Sequence, residues 1–188
     1  MLNITLKYIP YRTDVAFLQI KQSEVREIPN YLFFFYLHVY TSLFVLLAGF
    51  TQFNTNILSK HKNIHRWIGK MYVIVVLFFA APSGFFIGCY ANGGTTSIIA
   101  FLLLAVLWFV FTLKSFIAIK KGDVITHKKF MYRSFALAFS AVTLRLWKVI
   151  LVYLFEPCPM DLYQIIAWLG WIPNLLFVEY LIIKKLKR

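Results

Sequence analysis

The stretch 96-TSIIAFLLLAVLWFVFTLKSFIAI-119 decides the fold of this chain, and Lys114 is its only charged residue. About 20 mainly apolar residues are enough for a helix to cross roughly 30 Å of hydrocarbon. A helix at the surface of a soluble protein keeps a polar face, whereas this stretch is apolar on almost every side. It therefore predicts a helix that spans a membrane.

Apolar stretches of similar length lie on both sides of this one. The chain is 61% hydrophobic and 19% aromatic, and its mean hydropathy is +0.72. The links between the stretches are too short to hold a soluble domain. We therefore predict an all-α protein, an integral membrane helical bundle of five transmembrane helices embedded in the lipid bilayer. The predicted spans are residues 31–53, 67–91, 96–119, 130–155 and 162–183.

The basic residues predict the orientation of these spans. The chain has 20 Lys and Arg against 7 Asp and Glu, so its net charge is 20 − 7 = +13. In a soluble protein this balance would suggest a nucleic-acid partner, which we do not expect here because the basic residues cluster at helix ends. They lie in the first link, the third link and the tail, whereas the other two links are uncharged or acidic. The positive-inside rule then predicts an external N-terminus and a cytoplasmic C-terminus in the cell (inner) membrane.

Residues 1–30 differ from the five-span membrane domain that we predict for residues 31–188. They mix charges with apolar runs that are too short to span, and they lack the apolar core and cleavage site of a signal peptide. We expect an external amphipathic segment that lies on the membrane. The side chains expected to contact the membrane are Tyr8, Ile9, Phe17 and Leu18.

Soluble-type catalytic motifs are missing from the sequence. It has no Cys-x-x-Cys, no Gly-rich phosphate loop and no Gly-x-Ser-x-Gly, so no catalytic residue is identified. Cys89 and Cys158 both fall on the predicted outer side, where a disulfide between them is geometrically feasible and two unpaired thiols are the simpler interpretation. With four histidines and no carboxylate beside them, we predict no metal-ion site.

Small and polar residues at one-turn spacing mark the helix faces that we expect to point into the bundle. Pro82 and Pro173 predict bends in the second and fifth spans. The predicted inward faces are His38, Thr41, Ser42, Gly49 and Gln52 in the first span, Ala80, Gly84 and Gly88 in the second, Ser134, Ala138, Ala141 and Arg145 in the fourth, and Ala167, Trp171, Asn174 and Val178 in the fifth.

Two polar residues fall at similar depth in the outer half of the membrane. His38 and Arg145 each lie roughly 10–15 Å below the outer boundary, at 1.5 Å per residue. No acidic residue falls in the middle of a span, so we expect the Arg145 guanidinium either to bond backbone carbonyls or to meet an anionic group from outside the chain. The second case predicts a site for an anionic or lipid-like ligand. Its residues would be His38, Arg145, Thr41 and Ser42.

A second pair of polar residues lies at the inner face. His65 and His127 each come just before a span that runs outwards, so they are expected at equal depth on different helices. Two axial haem ligands need this geometry, and Arg66 and Arg133 would be available for the propionates. The alternative is a pair of interfacial histidines among lipid phosphates. If a cofactor is bound, haem b is therefore the expected one.

Several of these residues occur in short motifs, namely His38, 65-HRWIGKMY-72, 127-HKKFMYRS-134 and 141-AVTLR-145. At these motifs the chain resembles a bacterial family of predicted multi-pass membrane proteins that is catalogued as a domain of unknown function. The resemblance covers about residues 31–153. It implies a helical inner-membrane protein, and it leaves the reaction open because the family has no established activity.

Three functions remain open from the sequence. The first is a binding or transport module for an anionic or lipid-like ligand at His38 and Arg145. The second is a haem-binding membrane redox subunit that uses His65 and His127; His38 has no histidine partner on the outer side, so at most one bis-histidine haem would fit. The third is a structural or assembly protein with a membrane-protein partner. No pattern decides whether the chain is an enzyme.

Overall fold

The structure is a computed structural model that describes residues 8, 9, 11–155 and 159–186. For residues 55–57, 159, 185 and 186 it describes the backbone alone. Cys158 lies outside the described residues, and so does any disulfide between it and Cys89, whose side chain is exposed.

Every regular element in the described part of the chain is helical, which confirms the predicted all-α class. A short 3-10 turn, Ala16–Ile20, precedes the first helix. The helices are α1 (Gln22–Glu27), α2 (Tyr31–Gln52), α3 (Thr55–Lys60), α4 (Lys62–Gly88), α5 (Gly94–Lys120), α6 (Val124–Ala138), α7 (Ser140–Phe155), α8 (Pro159–Leu169) and α9 (Ile172–Leu186).

The candidate membrane spans agree with the predicted bundle. Helices α2, α4 and α5 are each long and apolar enough to cross a membrane, and so is the stretch Met160–Lys184 that contains most of α8 and α9. Helices α6 and α7 pass the same test together but are bent by 40°. The described residues thus hold four candidate spans, or five if the bent pair counts as one.

Glycine makes the tight turns at two helix ends. Gly93 adopts φ 87° just before α5, and Gly122 adopts φ 80° between α5 and α6. Both values lie in the left-handed region, which only glycine adopts without strain. Directly after Gly122, the Asp123 carboxylate accepts a hydrogen bond from the Thr126 backbone N–H at 2.9 Å, which caps the first turn of α6.

Helix α4 is irregular at mid-length. Residues Val76–Ala80 form a π-helical turn, and Pro82 follows in the first turn of the α-helical segment beyond it. Proline lacks a backbone N–H and crowds the preceding turn, so the wider π turn accommodates it. The bend predicted at Pro82 therefore appears as a local change from the α-helical to the π-helical hydrogen-bond pattern. This helix also begins at Lys62, earlier than the predicted start at residue 67.

Two further spans are interrupted. The fourth was expected as one continuous helix over residues 130–155, but it is divided at Phe139 into α6 and α7. The sequence did not predict this break, because no proline or glycine marks it. The fifth is divided at Gly170 and Trp171, just before Pro173, which takes its place in the first turn of α9, where proline is tolerated.

Helix α6 contacts helices of three other spans. It packs along α5 and also contacts α2 and α9, whereas α7 packs mainly on α8. Most of the predicted inward-facing residues are buried, namely Gly49, Gln52, Ala80, Gly88, Ser134, Ala138, Ala167, Trp171 and Val178. The others are half-buried, namely His38, Thr41, Ser42, Gly84, Ala141, Arg145 and Asn174.

The N-terminal segment packs over one end of the bundle. Tyr8 and Leu18 are buried in an aromatic cluster with residues of α2, among them Phe35 and Tyr36. Of the side chains expected to contact the membrane, Ile9 remains exposed. Lys21 is only 1% exposed, and its ammonium group donates to Glu24 and to the carbonyl oxygen of Tyr90. These side chains therefore attach the segment to the ends of α2 and α4.

Candidate functional site

His127 lies in the first turns of α6, where Ser115 of α5 fixes its ring. The Nδ1 atom of His127 is 2.9 Å from the Ser115 hydroxyl oxygen and 3.0 Å from the Ser115 carbonyl oxygen. Ser115 is fully buried, and its hydroxyl donates to the His127 carbonyl oxygen at 3.2 Å. Because a carbonyl can only accept, Nδ1 is the protonated nitrogen. The Nε2 atom then carries a lone pair that can bind a metal.

His65 lies in the first turns of α4 and is half-buried. Its Nδ1 atom is buried and has no hydrogen-bond partner among the described residues. The two histidines that the sequence predicted as a pair thus lie in the first turns of α4 and α6. One of them has a buried ring nitrogen without a hydrogen-bond partner in the described part of the chain.

The two arginines predicted beside these histidines differ in their surroundings. Arg66 is exposed. Arg133 is engaged by Glu179 of α9, with Nη2 donating to Oε2 at 2.8 Å and Nε donating to Oε1. The guanidinium of Arg133 also lies 5.0 Å from the ring centroid of Phe130. This ion pair was not predicted, because nothing in the sequence places Glu179 of the fifth span opposite Arg133 of the fourth.

Gln52, at the end of α2, was not assigned to any site from the sequence. It is 7% exposed, and its Nε2 atom is buried without a hydrogen-bond partner in the part of the chain that the structure describes. Its Oε1 atom lies against Gly69 of α4, where an added Cβ would be only 2.9 Å away. Gly69 follows His65 by one helical turn. A glycine on the same face as His65 leaves room for a side chain from a neighbouring helix, and this is the sequence signal that could have pointed to Gln52.

A buried polar network lies about one turn from Ser115 on α5 and two turns from His127 on α6. The Tyr72 hydroxyl is 2.9 Å from the hydroxyl oxygen of Ser134, which is 2.7 Å from that of Thr112. Thr112 donates to the carbonyl oxygen of Trp108 at 2.7 Å. The first three side chains are fully buried, so the hydrogen bonds link α4, α5 and α6 where no water satisfies polar groups.

His38, the first residue of the predicted outer site, faces the irregular turn of α4. Its Nδ1 atom lies 2.9 Å from the carbonyl oxygen of Ala80, and its Nε2 atom lies 3.3 Å from the Ser42 hydroxyl oxygen. A side chain at Gly84 would collide with the ring, since an added Cβ would be 2.8 Å from Cε1. The Thr41 hydroxyl donates to the Leu37 carbonyl oxygen of its own helix at 2.6 Å.

Arg145, the other main residue of that site, lies half-buried on α7. Its Nη1 atom donates to the Ala141 carbonyl oxygen at 2.7 Å. This agrees with the first of the two alternatives from the sequence, in which the guanidinium bonds backbone carbonyls. The phenol of Tyr8 is close enough to interact with its charge. No hydrogen bond joins Arg145 to His38 in the described structure, so the two residues contact different parts of the fold.

The breaks in the fourth and fifth spans face each other through Thr143 and Asn174. The Asn174 amide donates to the Thr143 hydroxyl oxygen at 2.9 Å and to the carbonyl oxygens of Ala136 and Gly170 at 3.2 Å. The Thr143 hydroxyl donates to the same Gly170 carbonyl oxygen. These side chains satisfy carbonyl groups that lie next to the helix breaks, which explains how the breaks are tolerated inside the membrane.

The motifs in this arrangement are those of a known family. The family model described as "Predicted membrane protein (DUF2306)" matches residues 35–182. The chain belongs to this family. DUF2306 membership confirms the resemblance found in the sequence and the assignment as a membrane protein. Neither the curated proteins nor the solved structures gave a match. The described residues contain no group of three or more His, Cys, Asp or Glu side chains that could hold a metal ion.

Proposed function

We propose that this DUF2306 protein binds one b-type haem between His65 and His127 and acts as a membrane redox subunit. The observation that supports this most directly is the state of the two rings. Ser115 occupies Nδ1 of His127 and leaves Nε2 available, and His65 has a buried ring nitrogen without a hydrogen-bond partner among the described residues. Two imidazoles from different helices are a common axial ligand set of membrane haem proteins.

The other residues near this pair suit an anionic, planar cofactor. Haem supplies one-electron chemistry when bound. The Ser115 bonds hold the His127 ring in one orientation, as hydrogen-bond partners of metal-binding histidines do. Arg66 is exposed and can reach a propionate. Arg133 was predicted for the same role, but it would have to leave Glu179 to fulfil it. We therefore assign propionate binding to Arg66 before Arg133.

The test is an absorption spectrum of the purified protein after expression with added haem precursor. We expect a six-coordinate low-spin haem spectrum that is lost in both His65→Ala and His127→Ala. His61→Ala is the matched control, because His61 is exposed in the same link and should keep the spectrum. A colourless but folded wild-type protein would contradict the proposal and leave the two histidines as interfacial groups.

We further propose the orientation that the charge pattern predicts. The N-terminus would then be external and the C-terminus cytoplasmic in the inner membrane, with residues 1–30 as an external segment and residues 31–188 as the membrane domain. In this orientation the haem would lie in the cytoplasmic half of the bilayer.

A second candidate function is binding of an anionic or lipid-like ligand at the predicted outer site of His38, Arg145, Thr41 and Ser42. The observation in its favour is the position of Arg145, a half-buried cation on a span. Cations at this depth are costly and usually functional. Because the His38 ring bonds to Ser42 and to the Ala80 carbonyl of α4, Arg145 would supply most of the attraction for the anion.

A further inference from the structure

Two buried polar atoms without partners lie on or against the first turns of α4. The Nδ1 atom of His65 and the Nε2 atom of Gln52, whose amide lies against Gly69, are both buried, and neither has a hydrogen-bond partner among the residues that the structure describes. A buried polar atom without a partner costs about 1–3 kcal/mol. Unsatisfied atoms on two side chains that meet the same stretch of α4 suggest one functional unit.

Gly69 places the Gln52 amide next to His65. The Oε1 atom of Gln52 occupies the space that a Cβ at Gly69 would fill. Residues four apart on a helix share a face and are separated by about 6 Å along the axis, so the amide lies about one turn from the His65 ring. The terminal torsion of glutamine is broad, so a turn of the amide group can direct its oxygen at the ring.

The hydrogen bonds of His127 show which kind of partner His65 lacks. The Ser115 carbonyl accepts from Nδ1 of His127 at 3.0 Å, and such a bond fixes the tautomer and raises the basicity of the other nitrogen. His65 has no such acceptor in the described structure, although it would need one to bind iron through Nε2.

We propose that Gln52 is the positioning residue of His65: its amide oxygen accepts a hydrogen bond from Nδ1–H and leaves Nε2 for the iron. This inference rests on the proposed haem site. It gives each axial histidine a partner on a neighbouring helix, Ser115 of α5 for His127 and Gln52 of α2 for His65. It also explains Gly69, because a larger residue there would displace the amide.

The haem protein provides the first test, through the midpoint potential of the bound haem. Gln52→Glu supplies a stronger acceptor and should lower the potential, whereas Gln52→Met removes the acceptor at similar length and should raise it. Both variants should keep the haem and its low-spin spectrum. Ser97→Ala is the matched control because Ser97 also has a buried hydroxyl without a partner, on the opposite end of α5; its potential should equal that of the wild type. An unchanged potential in both Gln52 variants would overturn the proposal.

A second measurement separates this inference from the haem proposal. In haem-free protein, the ring 15N chemical shifts of His65 report which nitrogen carries the proton. We expect Nδ1–H in the wild type and a shift toward Nε2–H in Gln52→Met. Gly69→Ala displaces the amide without changing Gln52, so it should have the same effect on the His65 tautomer. It can replace Gln52→Met if that variant folds poorly. If the wild type binds no haem, the proposed function fails, but the 15N measurement can still be made. If the protonated nitrogen of His65 is the same in the wild type, Gln52→Met and Gly69→Ala, the proposed role of Gln52 is wrong.

Discussion

Arg133 of α6 and Glu179 of α9 form a two-pronged ion pair, in which Nη2 donates to Oε2 at 2.8 Å and Nε donates to Oε1. The pair joins the fourth and fifth spans, and the guanidinium also lies over the rings of Phe111 and Phe130. A planar guanidinium matches a carboxylate in this way, and a lysine cannot. The geometry indicates that Arg133 stabilises the fold.

We predict that Glu179→Gln lowers the unfolding free energy by about 1.5–3 kcal/mol, the range for hydrogen bonds to charged groups. The lower end is expected because the Glu179 side chain is 37% exposed, and solvent weakens such pairs. The measurement is thermal unfolding in detergent. Lys62→Met is the control, since Lys62 is an exposed cation outside the proposed haem site and its removal should leave the melting temperature unchanged. Equal melting temperatures for wild type and Glu179→Gln would refute a stabilising role.

The sequence predicted much of this fold because its main determinants are local. Hydrophobic length is enough to locate the spans, and a position just before an apolar stretch is enough to place His65 and His127 in the first turns of two helices. The break at Phe139 could not be predicted, since the residues that satisfy it come from the fifth span: Asn174 reaches the Ala136 carbonyl. For the same reason the sequence placed Gln52 on the inward face of the first span but not in a site, because its contact with Gly69 of another helix is not visible in the sequence.

Asp123 is expected to control the first turn of α6, which carries His127. Its hydrogen bond with Thr126 lowers the pKa of the Asp123 carboxyl below its usual value. A lowered pKa in the folded state means that the cap stabilises the helix above the ordinary carboxyl pKa, and that this contribution disappears as the pH falls through the lowered value. We predict that Asp123→Ala weakens haem retention at neutral pH, measured by haem loss to apomyoglobin.

Asp123→Asn is the matched variant for this cap. The asparagine side chain can still accept from the Thr126 N–H, so haem retention at neutral pH should be close to that of the wild type and should no longer depend on the titration of residue 123. A wild-type level of haem retention in Asp123→Ala would show that the cap does not hold His127 in place.

The proposed orientation can be tested with reporter fusions in the links. The uncharged link at Gly93 and the acidic link at Pro157 are expected to be external, whereas Asn63 and Gly122 lie in basic links that are expected to be cytoplasmic. Alkaline phosphatase should therefore be active only at the first pair of positions, and a cytoplasmic reporter only at the second. Phosphatase activity at Gly122 would reverse the orientation and move the histidine pair to the other side of the membrane.

Arg145 provides the test of the outer ligand site. If the guanidinium serves an anionic ligand, Arg145→Leu should remove that ligand while the leucine keeps the apolar contacts of α7, so insertion and thermal stability should stay close to those of the wild type. We predict that an anionic lipid or amphiphile copurifies with the wild type and is depleted in Arg145→Leu, measured by lipid mass spectrometry. Arg145→Lys should restore binding only in part, because an ammonium group lacks the planar pair of donors.

Two further variants distinguish a ligand site from a general effect of charge. Lys148→Leu removes an exposed cation from the same helix, and it should leave the copurifying lipids as they are in the wild type. His38→Ala should deplete the ligand too, but it should also lower the melting temperature, because the ring is bonded to the Ala80 carbonyl in the irregular turn of α4. A wild-type lipid profile in Arg145→Leu would rule out the outer site. Equal depletion in Lys148→Leu would show that the lipids respond to the surface charge of α7 in general and not to a specific site.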